Sequence, residues 1–179
     1  MAGNQLYYFH VLILLSAVFI IVCTSDDYDC EYTVHVKTDP RKDAGTDSII
    51  SLSLYDNANS SGVGIEIENL ESWGDMGVGH DYFEVGRLDI FSGRASCLAK
   101  SICFMVLKSD GTGNKPGWYV SFVDVFVNET KDPQHFTVDQ WLALDESPYT
   151  LTVYRDNCGN SKKNQPMNSS DHVPLSSIV

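Results

Sequence analysis

Residues 32–37 read YTVHVK and residues 50–55 read ISLSLY. In the first, Tyr32, Val34 and Val36 alternate with Thr33, His35 and Lys37; in the second, Ile50, Leu52 and Leu54 alternate with Ser51, Ser53 and Tyr55. Apolar residues at every second position define a strand with one buried face, because successive side chains of an extended chain point to opposite sides. Working outward, the same spacing predicts strands over Gly64–Ile67, Arg87–Phe91, Ile102–Lys108, Trp118–Val127, His135–Val138 and Tyr149–Tyr154. Turn-rich stretches such as Asp56–Gly62 and Ser109–Gly117 separate them. Within Trp118–Val127 the phase slips, from Trp118, Val120 and Phe122 to Val123, Val125 and Val127, which predicts a bulge or a strand that turns from one sheet into another. Helical spacing is nearly absent. Only Val138–Leu144 offers a turn or two, and Trp141 between Val138 and Leu142 is expected in the core. This pattern predicts an all-β, antiparallel sandwich with little helix, one domain over residues 30–158.

The chain has 179 residues and a formal net charge of −12, from 24 acidic and 12 basic residues. Residues 1–25 contain no Asp, Glu, Lys or Arg, so the rest of the chain carries all of that charge. Scattered lysines and arginines, with no run beyond Lys162-Lys163, argue against a nucleic-acid partner. From Leu6 to Val22 the chain is apolar apart from His10 and Ser16, and Cys23, Thr24 and Ser25 lead into Asp26-Asp27. That is the layout of a cleaved secretory signal over residues 1–25, followed by a short linker at 26–29. No Lys or Arg precedes the apolar run, which leaves an uncleaved anchor with a lumenal body as the alternative. Either route delivers the domain to the secretory pathway, in the endoplasmic reticulum lumen or outside the cell. Residues 159–179, GNSKKNQPMNSSDHVPLSSIV, read as a disordered polar tail.

Removal of Cys23 with the signal leaves Cys30, Cys97, Cys103 and Cys158, an even set that predicts two disulfides with three possible connectivities. Cys97 and Cys103 are close in sequence, whereas Cys30 and Cys158 sit at the two ends of the patterned region. The expected pairing is therefore 97 with 103 and 30 with 158. One pair kept as buried thiols is the alternative. Without a CxxC or a Cys/His cluster, zinc is the weakest reading. N-glycosylation sequons stand at Asn59, Asn128 and Asn168, each in or beside a turn or in the tail.

No GxSxG, HExxH, P-loop or strand-to-helix GxGxxG is present. His80 beside Asp81 lacks a Ser or Cys in a strained elbow, so no catalytic residue is assigned. Asp outnumbers Glu by 17 to 7. Short carboxylates at strand ends can converge with backbone carbonyls on a hard cation. The candidates are Gly45-Thr46-Asp47, immediately before a strand, and the Gly-rich stretch from Asp75 through Asp81 to Glu84. Ordinary solvated loop carboxylates are the alternative.

Four runs carry a family resemblance: AGTDSIISLSLYD at 44–56, IENLESWGDMGVGHDYFEVGRLDIFSGR at 67–94, SDGTGNKPGWYVSFVDV at 109–125 and FTVDQWLALDESPYTLTVYRDNC at 136–158. Together they resemble the PLAT (LH2) domain, in particular the short plant-stress group with a signal peptide and one such domain. The resemblance implies two four-stranded antiparallel sheets. It also implies a non-enzymatic role in abiotic-stress tolerance and growth, within the endoplasmic reticulum or secretory route. Carried over position by position, the calcium loops of lipoxygenase-type PLAT domains match Gly45, Thr46 and Asp47, then Asp81 and Glu84. Two departures stand out: Gly117 replaces a third acidic ligand, and Val85 replaces the usual basic residue.

The sequence supports two modes of action. In one, calcium at Asp47, Asp81 and Glu84 offsets the charge of the body at a membrane lipid surface, with Trp73 and Trp118 near turns as the rings that would insert. Core packing is the alternative for both tryptophans. In the other, a sheet face or loop rim of the monomer binds a lumenal or extracellular protein partner, without lipid or calcium. An enzyme of lipoxygenase or lipase type is excluded on size, since the chain offers the accessory domain without a catalytic one.

Overall fold

A computed structural model of the chain describes residues 29–56 and 64–159. Eight strands form in chain order: β1 Asp29–Thr38, β2 Ile50–Tyr55, β3 Gly64–Ile67, β4 Leu88–Ser96, β5 Phe104–Ser109, β6 Trp118–Val127, β7 Gln134–Leu142 and β8 Thr152–Asp156. They pair antiparallel into two four-stranded sheets, ordered β4-β1-β6-β7 and β3-β2-β5-β8. The alternation that predicted the strands sets the packing. Val34 and Val36 of β1 face Ile50, Leu52 and Leu54 of β2 across one core in which all five are fully buried. Each such side chain contributes roughly 1.5–3 kcal/mol relative to exposure.

The phase slip in β6 is a bulge. Lys37 pairs with Phe122 but Thr38 with Val120, so Ser121 is the extra residue, and the inward set moves from Val120 to Val123. Opposite it, β7 has an irregularity of its own, since Val120 pairs with Gln140 and Phe122 with Thr137, and Asp139 takes a left-handed φ of 45°. The expected helical turn over Val138–Leu144 does not form: Val138–Leu142 completes β7, and Ala143 bridges Thr150. Trp141 is half-buried rather than core. It lies on the outer face, edge-on to Tyr119 at 5.4 Å. An apolar ring on the outer face placed Val138, Trp141 and Leu142 at helix-like spacing by coincidence.

The four cysteines among the described residues all form disulfides, but not in the expected pairs. Cys30 bonds Cys97 and Cys103 bonds Cys158, with Cα separations of 4.9 and 4.7 Å. The registers explain the correction. Asp29 pairs with Ser96, so Cys97 emerges from β4 beside Cys30; Phe104 pairs with Asp156, which brings Cys103 to Cys158. Residues 97–103 cross from one sheet to the other, so nearness in sequence misled. Each bond ties together the ends of two neighbouring strands of one sheet.

Candidate cation site and docking rim

The loops β1–β2, β3–β4 and β5–β6 meet at one end of the sandwich. In the second, Asn69 caps a 3₁₀ turn, Leu70–Trp73, through its side chain to the Glu71 N–H. Buried Asp89, at the head of β4, then fixes the segment from His80 to Phe83. One of its oxygens accepts the Phe83 N–H at 2.8 Å and the other lies 2.7 Å from His80 Nε2. Asp81 is held between these two anchors. His80 is thereby a structural partner of Asp89, and its ring meets that of Tyr82 edge-on at 4.6 Å.

The β1–β2 loop closes onto this segment because residue 45 is glycine. A Cβ there would lie 3.1 Å from the Phe83 carbonyl oxygen and 3.1 Å from Val85 N. Thr46 N–H donates to the Phe83 oxygen at 3.3 Å. The Thr46 hydroxyl accepts the Ser48 N–H, and both Gly45 and Thr46 also carry carbonyl oxygens of the kind a hard cation takes. The result is convergence: carboxylate oxygens of Asp47, Asp81 and Glu84 lie within 4.8 Å of one another. Oxygens around one calcium at about 2.3–2.6 Å are separated by up to ~5 Å, so the triad fits that ion in spacing and chemistry.

Two neighbours of this triad are not legible in the sequence. Glu71 has its pKa raised above the ordinary 4.5, first by burial and then by the negative charge of Asp81, Asp47 and Asp89. It is a fourth carboxylate in the same field. Lys115 lines a cavity of about 80 Å³ together with Asp43, Gly45, Thr46, Asp47, Glu84 and Val85. Gly117 faces away, towards Ala143 and Asp145. Thus the position where an acidic ligand was expected adds nothing to the triad, and a cation sits nearby.

The aromatic candidates also change. Trp118 is fully buried, its indole N–H donating to Thr38 Oγ1 at 3.0 Å, and it cannot meet a membrane or partner. Trp73 is half-buried, with its ring laid over Gly93 of β4, where a Cβ would lie 2.3 Å from it. Exposed apolar side chains at this end include Ile49, Met76, Val78, Val85 and Leu88, and Val78 is wholly in solvent. Of the sequons, Asn128 is exposed, though its amide accepts the Glu31 N–H at 2.9 Å. Asn59 and Asn168 lie outside the described residues, as do the signal segment 1–25 and all but the first residue of the tail. Two disulfides suit an oxidising secretory environment. Among the described residues no helix is long and apolar enough to cross a membrane.

Two four-stranded antiparallel sheets with an acidic loop rim at one end define a C2-like β-sandwich. The PLAT/LH2 domain model matches residues 32–155, and the chain belongs to that family. It is 48% identical over 151 residues to PLAT domain-containing protein 1 of Arabidopsis thaliana, spanning 82% of each chain. PLAT domain-containing protein 2 of the same plant is 43% identical over 162 residues, covering 88% of this chain and 87% of the relative. Coral 8R-lipoxygenase, a solved structure described as calcium-activated through a C2-like domain, aligns with a TM-score of 0.53 and 21% identity. That alignment covers 70% of this chain and 16% of the enzyme, and it bears on the fold alone.

Proposed function

We propose that the protein is a non-catalytic docking module of the secretory pathway that uses calcium to bring its loop rim onto a lipid surface. The observation that carries this reading is the triad Asp47, Asp81 and Glu84, two of whose members share the β3–β4 loop with exposed Met76 and Val78. A body at −12 is repelled by anionic headgroups. An ion on the triad cancels most of the local negative charge, two positive charges against three carboxylates, and Val78 then enters the interface at little conformational cost. A role in stress tolerance and growth belongs to the same proposal and rests on the family resemblance.

A second reading is favoured by Lys115. With a cation already lining the cavity, the rim can serve a protein partner without calcium. Calcium titration of the full chain by calorimetry separates the two. The first reading expects one saturable site that Asp81→Asn weakens about tenfold or more, because ligand charge sets affinity. A flat titration favours the second.

A further inference from the structure

In the first sheet β1, β6 and β7 run side by side. Their registers set His35 opposite Asp124 and Asp124 opposite His135. Directly opposed residues project to one side with Cβ atoms roughly 4.5–5.5 Å apart. An imidazole, a carboxylate and a second imidazole therefore form a single row across three strands. The row faces outward, since the alternate residues Val34, Val36, Val123, Val125 and Phe136 are buried in the core.

Part of the row is already assembled. His135 Nδ1 lies 2.6 Å from Asp124 Oδ1, and His135 Nε2 lies 3.2 Å from Thr137 Oγ1. Phe122 and Phe126, two residues either side of Asp124 on β6, pack against His135 and His35 with ring centroids 5.4 and 4.8 Å apart. The His135 side chain is 52% exposed and that of Asp124 19%, so the row is open above and sheltered at its base.

We propose that this row binds a borderline divalent transition metal of the zinc or copper class, held by His35, Asp124 and His135 Nδ1. Two imidazoles and one carboxylate are the donors such ions prefer, whereas calcium selects oxygen alone. In the metal-free chain a hydrogen bridges Nδ1 and Oδ1. The ion takes that place, and the remaining ring N–H sits on Nε2, facing the Thr137 hydroxyl. That bond is the orienting contact a metal-bound imidazole makes through its second nitrogen. Two movements are required: His35 turns from Phe126 towards Asp124, and the 2.6 Å contact between His135 Nδ1 and Asp124 Oδ1 widens by about 0.5 Å to admit the ion at ordinary bond lengths. The two phenyl rings flank the row and limit water around the charges, which strengthens binding. The site is independent of the rim, because its donors and its metal class both differ.

Calorimetric titration of the full chain with zinc chloride in the presence of calcium tests the proposal. One zinc per chain is expected, weakened about tenfold or more by His35→Ala and equally by His135→Ala, and unchanged by Asp81→Asn or His172→Ala. No saturable binding, or binding unchanged in either ring variant, overturns it. Proton–carbon spectra of the unmutated chain give a readout free of folding effects. Zinc must shift the ring signals of both His35 and His135, and a shift at His135 alone overturns the three-ligand site.

Discussion

Asp89 accepts a hydrogen bond from Phe83 and meets the His80 ring, and so holds both ends of the segment that presents Asp81. Glu71 stands in the same field, and its raised pKa has a consequence that can be measured. A carboxyl that keeps its proton better in the fold favours the fold below the ordinary value of 4.5, and that contribution is lost as pH rises through the folded value. Glu71→Gln, neutral throughout, should therefore unfold at a higher temperature than the unmutated protein at pH 7. The difference should vanish at about pH 3, below both values. Equal melting temperatures at pH 7 would show that the field at Glu71 is screened. Acids beside glycines and strand starts mark the two stretches, and the family resemblance singles out Asp47, Asp81 and Glu84 within them. Glu71 and Lys115 are not marked in this way, since only the meeting of separate loops brings them in.

Elements explain how those loops meet. The β1–β2 loop touches residues 83–85 through Gly45, where any side chain must push the two apart by a few tenths of an ångström. Gly45→Ala should cost about 1 kcal/mol of stability, read from the urea midpoint, and weaken calcium several-fold by spreading Asp47 from Glu84. An unchanged calcium affinity would mean that the loops do not need this approach. Strand positions came from period-2 spacing, and β3 and β6 agree with it at both ends. Less of β7 was visible. Its irregularity at Asp139 and the outward Trp141 blurred alternation into a helix-like pattern. Trp118 looked like a rim residue because it comes directly after a turn, yet a strand's first residue faces inward or outward by register, and here it faces the core.

At the scale of the molecule, cysteine pairing depends on strand order, which spacing along the chain does not encode. The bonds 30–97 and 103–158 close loops with sequence separations of 67 and 55. Loops of that length constrain the unfolded chain by roughly 4 kcal/mol each. Replacing Cys103 and Cys158 together by Ser should lower unfolding free energy by about that amount, and non-reduced peptide mapping should recover a 30–97 link. A 97–103 link would contradict the sheet registers. The net charge of −12 is likewise a property of the whole body, and the proposed role of the ion is to offset it locally at an anionic surface. The most direct measurement is co-sedimentation of the full chain with phosphatidylserine–phosphatidylcholine vesicles, in calcium and in chelator, beside Val78→Asp. The protein should pellet with vesicles only in calcium, and Val78→Asp should remain in the supernatant while still binding the ion. Equal recovery in calcium and chelator would contradict calcium-assisted docking.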